Sequence, residues 1–152
     1  MNRLQFDIEI HAPQNLVWQL MWDKDTFSEW MLPMGEGHYF EPALIAGGKV
    51  RWLTPSGDGM YGKVKKLIPG EKIVFEHHGW IIKGEKSMVD TFNSEEIYSL
   101  KSDEKTTHVC LEVDTFVEYT ALMKEKYPLV LEALKKIAEQ HFFLKNKNID
   151  SI

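Results

Sequence analysis

The chain has 152 residues, of which 43% are hydrophobic and 27% are charged, a composition that excludes intrinsic disorder and suits one globular domain. Its 18 lysines and arginines against 23 aspartates and glutamates give a net charge of −5. This balance argues against a nucleic-acid-binding surface, because phosphate binding needs a concentrated positive field. The densest basic group, formed by Lys63, Lys65 and Lys66, is short.

Cysteine content and hydropathy narrow the class of protein further. Cys110 stands alone, which excludes an intrachain disulfide framework and a zinc site built on several thiolates. No run approaches about 18 apolar residues, so no membrane-spanning helix is predicted. Residues 4–10 alternate in polarity instead of forming the continuous apolar run of a signal peptide. We therefore expect a cytoplasmic protein.

The first predicted elements are a strand and two short helices. Residues 4–10 alternate apolar and polar side chains with the period of two that one buried face requires. Pro13 ends this strand, because proline lacks the N–H of a strand and suits the start of a helix. A short helix is predicted at residues 15–21, and Asp23 is the predicted N-cap of a second one that ends near Trp30.

The middle of the chain predicts strands in hairpin succession. Dense turn signals occupy residues 54–59, Pro69-Gly70 and residues 101–105. The predicted strands cover residues 49–53, 60–68, 73–78, 95–100 and 106–115. Residues 79–94 are the least regular part, and they predict a long loop or a bulged strand.

The end of the chain predicts one long amphipathic helix. Its apolar stripe recurs at three- and four-residue spacing at Val130, Leu131, Leu134, Ile137 and Ala138. Pro128 suits a first helical turn, so the helix is predicted to begin near Tyr127. Residues 146–152 are predicted to be a loose tail, which leaves one domain at residues 1–145.

This order of elements predicts an α+β fold. Successive hairpins make a curved antiparallel sheet of about six to seven strands, and the long C-terminal helix can bury its stripe only over the concave face. The two short helices after the first strand would close one end. Sheet and helix cannot mesh along their whole length, so a cavity is expected between them.

A series of short local motifs follows the same order as the predicted elements. These motifs are Ile10-His11-Ala12-Pro13, Val17-Trp18, Trp30, Gly47-Gly48, Gly59, Gly62, Val64, Ile68-Pro69, Ile73-Val74-Phe75 and Thr107. In this order they resemble the START-like (SRPBCC) superfamily, the helix-grip fold of birch-pollen-allergen-like and polyketide-cyclase-like proteins. The branch that the chain resembles most is that of the activator of heat-shock-protein-90 ATPase homologues. The resemblance spans roughly residues 3–138 and departs from the family at Tyr127-Pro128, where a Gly-Trp pair is frequent.

The predicted inward faces of the strands and of the last helix supply the candidate ligand-binding residues. Apolar walls with a few polar groups are typical of a small-molecule site, although the same side chains would also serve as plain core. The candidates are Trp52, Met60, Val64, Phe75, His77, Glu96, Tyr98, Leu100, Leu131 and Leu134, with Val50, Val109 and Leu111 beside them.

His77 and Glu96 are the predicted polar pair of this cavity. If consecutive strands are neighbours, both side chains point inward from adjacent strands, and Tyr98 can present its hydroxyl to the same place. A histidine oriented by a carboxylate can act as a general base or bind a polar ligand head. The alternative is a structural hydrogen bond that satisfies a buried glutamate.

Neither a metal nor a cofactor is expected. His77 and His78 are adjacent strand residues that face opposite sides, and the remaining histidines lack ligand spacing. Three functions stay open. The first is binding of an apolar or aromatic small molecule, lipid-like or polyketide-like, without covalent chemistry, by a monomer or homodimer. The alternatives are a cyclase-, aromatase- or hydrolase-like enzyme that uses His77 and Glu96 as acid and base, and an activator of a chaperone ATPase.

Overall fold

The computed structural model describes residues 1–150 and forms an α+β fold. Two 3₁₀ turns, Leu32–Met34 and Val117–Tyr119, join some of its elements. The helices are α1 (Gln14–Trp22), α2 (Lys24–Trp30) and α3 (Thr120–Asp150). The strands are β1 (Asn2–Ile10), β2 (Tyr39–Glu41), β3 (Lys49–Leu53), β4 (Gly59–Ile68), β5 (Lys72–Ile82), β6 (Glu85–Lys86), β7 (Ser94–Asp103) and β8 (Thr106–Thr115).

The strands form one antiparallel sheet in the order β1-β8-β7-β5-β4-β3-β2, with β6 paired to the end of β5. The predicted antiparallel sheet with two early helices and a long final helix is thereby confirmed. The sheet has eight strands instead of six or seven, because the short β2 and β6 give no period-two signal of their own. Within the irregular segment 79–94, β5 continues to Ile82.

The N-terminal elements follow the predicted pattern. β1 pairs with β8 along its whole length, from Asn2 opposite Thr115 to Ile10 opposite Thr107. The Asp23 carboxylate accepts the backbone N–H of Asp25 at 3.0 Å, so the predicted N-cap of the second helix is confirmed.

The core is an aromatic cluster between α1, α2 and the concave face of the sheet. Trp22 lies at its centre, with ring centroids 5.5 Å from Phe75 and 5.2 Å from Tyr98. Phe27 packs edge to face on Trp52 at 5.3 Å. Most of these pairs have the edge-to-face geometry that aromatic quadrupoles favour, which adds about 0.5–1.5 kcal/mol per pair to the burial of apolar area.

The final helix is longer at both ends than the sequence predicts. It begins at Thr120 instead of near Tyr127, and Pro128 lies inside it. The segment before the proline is rich in strong helix formers, and these sustain the helix although Pro128 cannot donate to the carbonyl four residues earlier. The helix also includes residues 146–150 of the predicted tail; residues 151 and 152 lie outside the described part. No helix among the described residues is long and apolar enough to cross a membrane.

Candidate functional site

Two adjoining cavities lie between the sheet and the first turns of α3, with volumes of about 500 Å³ and about 330 Å³. The first extends towards β3 and the segment after α2, and the second extends towards the end of β8. Both have mostly apolar walls. Their shared wall is formed by Met60, Trp80, Glu96, Tyr119, Met123 and Tyr127.

A buried carboxylate is the polar centre of this shared wall. Glu96 on β7 is 3% exposed, and His77 on the neighbouring β5 is 2% exposed. The His77 Nε2 atom lies 3.2 Å from Glu96 Oε1. The Tyr98 hydroxyl, two residues along β7, donates to Glu96 Oε2. Two donors therefore satisfy a carboxylate that would otherwise be costly to bury.

The contact with Glu96 involves one specific nitrogen of the histidine ring, Nε2. An ionised carboxylate only accepts hydrogen bonds, so with Glu96 ionised the Nε2–H of His77 is the donor of this hydrogen bond. The Nδ1 atom of the same ring is buried and has no partner among the described residues. The indole Nε1 of Trp52 is also buried and lacks a partner in the described part of the chain.

Two tyrosines beside the carboxylate stay protonated at neutral pH. Burial raises the pKa of Tyr98 well above its ordinary value, and the negative charge of Glu96 raises it further. Burial and Glu96 raise the pKa of Tyr127 in the same direction. Both phenols therefore keep their protons: Tyr98 donates its own to Glu96 in a hydrogen bond, and Tyr127 presents an O–H donor at the cavity wall.

The structure divides the predicted ligand-binding residues into two groups. Trp52, Met60, His77 and Glu96 line the cavities. The others are buried in the core and line neither cavity; they are Val64, Phe75, Tyr98, Leu100, Leu131 and Leu134, together with Val50, Val109 and Leu111. The second group lines neither cavity because its strand residues lie in the half of the concave face that the aromatic side chains of α1 and α2 fill.

Trp80 belongs to the cavity because of a β-bulge in the pairing of β4 with β5. Gly62 pairs with His77 and Tyr61 pairs with Gly79, so His78 is the extra residue. The extra residue reverses the alternation, and Trp80 therefore shares the inward face of His77. The predicted strand ends at residue 78, and Trp80 falls in the segment 79–94 that was predicted as a long loop or a bulged strand, so the sequence assigned it to neither face.

The helix side of the cavity also escaped prediction. Tyr119, Met123 and Tyr127 are spaced four residues apart, and all three line both cavities. The four-residue spacing is present in the sequence. It was not recognised because the helix was predicted to begin near Tyr127, which left Tyr119 and Met123 outside it. An aromatic cluster borders the second cavity, where Trp80 packs 5.1 Å from Phe92 and 5.8 Å from Phe116.

The charged groups around the cavities are acidic. Asp58 and Glu96 line the first cavity, and Glu96 and Asp114 line the second, whereas no lysine or arginine among the described residues lines either one. Asp114 is paired with Arg3 at 2.7 Å. Burial lowers the pKa of His38, which lines the first cavity, despite its hydrogen bond to the Met34 backbone.

The residues described in the structure contain no group of three or more His, Cys, Asp or Glu side chains placed to hold a metal ion. The Cys110 thiol stays protonated at neutral pH, since burial and the neighbouring Asp7 carboxylate raise its pKa to about 11. What remains at the site is the hydrogen-bonded pair of His77 and Glu96 with the Tyr127 phenol at the wall of an apolar cavity, and the Tyr98 phenol behind Glu96.

Three solved structures share the fold at low sequence identity. DynU16, a protein in the dynemicin biosynthetic locus, has a TM-score of 0.72 and 13% identity over 93% of this chain, which spans 49% of DynU16. Protein MLL2253 from Mesorhizobium loti has a TM-score of 0.72 and 13% identity, covering 91% of this chain and 98% of its own. The Aha1 dimer from Colwellia psychrerythraea has a TM-score of 0.70 and 22% identity, covering 91% of this chain and 97% of its own.

The search of the curated proteins found no match. A family model does match, and its description is "Activator of Hsp90 ATPase homolog 1-like protein". The match covers residues 11–139, which includes every element from α1 through most of α3. The predicted START-like (SRPBCC) resemblance is confirmed, and this chain belongs to the family of Activator of Hsp90 ATPase homolog 1-like proteins.

Proposed function

We propose that this protein binds an apolar or aromatic small molecule, lipid-like or polyketide-like, between the sheet and α3, and does so without covalent chemistry. The observation that carries the proposal is the pair of adjoining apolar cavities around one hydrogen-bonded carboxylate, Glu96. A concave apolar site with a few converging polar groups is the usual form of a small-molecule site in proteins.

Size and wall chemistry support this function. Cavities of about 500 Å³ and about 330 Å³ fall within the range that holds drug-sized ligands. Met60 and Met123 stand on opposite sides of the shared space, on β4 and α3. Methionine adapts its shape to its neighbours, so these two walls can close on ligands of different outline.

The comparisons are compatible with this proposal. A protein of the same fold occurs in the dynemicin biosynthetic locus, and this supports a small-molecule ligand for the fold. A homodimer occurs in the Colwellia relative, so either a monomer or a homodimer is consistent with ligand binding here. A cytoplasmic location is part of the proposal, in keeping with a single free cysteine.

The test is ligand binding by the purified protein with a cavity-blocking variant. Met60→Trp fills the space shared by both cavities, whereas Met88→Trp changes a side chain that is 80% exposed. We expect compounds from a lipid and aromatic panel to raise the melting temperature of the wild-type protein and of Met88→Trp, but not of Met60→Trp. Circular dichroism verifies that both variants fold. If no compound stabilises the wild type, and native mass spectrometry finds no co-purified ligand, the proposal fails.

The second candidate function is an enzyme that uses His77 and Glu96 as acid and base. The specific observation in its favour is the 3.2 Å contact of these two buried groups beside the cavity. A cyclase, aromatase or hydrolase activity of this kind predicts that Glu96→Gln still binds the substrate but loses turnover. Turnover that survives Glu96→Gln and His77→Gln would exclude this role.

The third candidate follows from family membership, since the family description names an activator of the Hsp90 ATPase. The test is the ATPase rate of the chaperone at increasing concentrations of this protein. A rate that does not change at saturating concentrations would exclude it.

A further inference from the structure

We propose that the ligand is uncharged and carries a hydroxyl group, which binds between Trp52 of the first cavity and His77 of the second, next to Glu96, where the two cavities meet. This inference rests on the proposed ligand-binding function and names the chemical class of the ligand. It also states that the site discriminates against carboxylates. The charge of the cavity walls excludes an anionic ligand, and the hydrogen-bonding capacity of the two side chains then selects a hydroxyl group over an ammonium.

Charge excludes an anionic ligand head. Glu96 lies on the wall of both cavities, and Asp58 lies on the wall of the first. No lysine or arginine of the described chain lines either space. A carboxylate or phosphate bound beside Glu96 would meet a like charge where little water screens it, and no cation would compensate.

Hydrogen bonding identifies what the ligand must offer. When a neutral His77 ring donates from Nε2 to Glu96, its Nδ1 atom is an acceptor, and this atom has no partner within the described residues. The Trp52 indole N–H is a donor that lacks an acceptor there. Buried polar groups are rarely left unpaired, since each one loses its bonds to water without replacement.

One oxygen atom can satisfy both groups only if it is a hydroxyl. A hydroxyl donates one hydrogen bond and accepts others, whereas a carboxylate only accepts and an ammonium only donates. The rings of Trp52 and His77 are neighbours, with centroids 5.8 Å apart and planes at 89°. Trp52 lines the first cavity and His77 lines the second, and both cavities meet at Glu96.

The experiment compares four probes of one ring size by isothermal titration calorimetry at pH 7. They are naphthalene, 2-naphthol, 2-naphthoate and 2-naphthylmethylammonium. We expect 2-naphthol to bind about fivefold tighter than naphthalene, the gain of one ordinary hydrogen bond. We expect it to bind at least about tenfold tighter than 2-naphthoate, because the acid meets the Glu96 charge.

Two matched variants test whether the Trp52 side chain causes the preference for 2-naphthol over naphthalene. Trp52→Phe removes the indole N–H and keeps an aromatic ring, so the preference for 2-naphthol over naphthalene should fall to about one- to twofold. Trp22→Phe is the control, because its indole nitrogen is equally buried and without a partner in the described chain, yet Trp22 lines neither cavity. It should leave the preference unchanged. Glu96→Gln should narrow the difference between 2-naphthol and 2-naphthoate.

The ranking on the wild-type protein tests the inference even if a variant fails to fold. Equal binding of 2-naphthol and naphthalene overturns it, as does tighter binding of the carboxylate or of the ammonium. An unchanged preference in folded Trp52→Phe overturns the assignment to Trp52. These outcomes leave the proposed function standing, since the probes still bind. If neither the four probes nor any compound of the wider panel binds, the proposed function itself fails and the inference fails with it.

Discussion

Removing the Tyr98 hydroxyl tests whether the buried carboxylate depends on its two donors. In Tyr98→Phe the ring keeps its packing against Trp22, and Glu96 loses the donor to Oε2. Hydrogen bonds to charged groups contribute about 1.5–3 kcal/mol, and Glu96 is too buried for water to replace the donor easily. We expect the free energy of unfolding to fall by about 2 kcal/mol. For a domain of this size that corresponds to a melting temperature lower by roughly 4–8 °C.

A double-mutant cycle shows whether this loss depends on the charge of Glu96. In the Glu96→Gln background the hydroxyl donates to a neutral amide oxygen, so Tyr98→Phe should cost about 1 kcal/mol there. The assay is urea unfolding followed by circular dichroism and tryptophan fluorescence. Tyr39→Phe serves as a control, because Tyr39 is 39% exposed. A change below about 0.5 kcal/mol for Tyr98→Phe, or equal losses in both backgrounds, would refute the reasoning.

Three further predictions concern the sheet. Gly62→Ala should destabilise the protein by about 3 kcal/mol or more in urea unfolding, because an added Cβ would lie 1.8 Å from the backbone oxygen of Glu76. Arg3→Gln should lose less stability than the wild type on acidification. Burial alone would raise the pKa of Asp114, but hydrogen bonds from Arg3 and a backbone N–H lower it overall, so the wild type has a stabilising contribution that disappears as the pH falls through this lowered pKa. Cys110, with its pKa raised to about 11, should react with iodoacetamide at pH 7.5 much more slowly in the folded protein than after denaturation, and equal rates would contradict the burial argument.

The fold was predictable because its signals are local and repeat along the chain. Alternation in β1, the turn at Pro69-Gly70 and the Asp23 cap each act over a few residues, and each is present in the structure. The start of the last helix was not predictable from Pro128, since a proline suits a first turn but does not compel one. Strong helix formers on its N-terminal side decided the outcome.

The candidate site was predictable only where neighbouring strands fix it. His77, Glu96 and Tyr98 come together because β5 and β7 are adjacent, as inward alternation on neighbouring strands predicted. Trp80 requires the bulge at His78, which depends on the pairing of two strands and has no signature in either strand alone. Alternation also predicts which face of the sheet a residue lies on, but not whether it lies under the helices or beside the cavity. It therefore could not distinguish Phe75, which lies in the core, from Trp52, which lines the cavity.

The concave face of the sheet has one half filled by the aromatic cluster and one half that lines the cavities. The residues that stabilise the fold are therefore largely different from those that would contact a ligand. The aromatic cluster around Trp22 supplies cohesion, and the residues of that cluster tolerate little change. Met60 and Met123 line the cavities and are only partly buried, so replacing them changes the cavity wall more than the aromatic cluster. A lineage can therefore alter what this protein recognises by substitutions in one half while selection holds the other half constant. Such a scaffold is well suited to diversify into relatives that share a shape and little sequence.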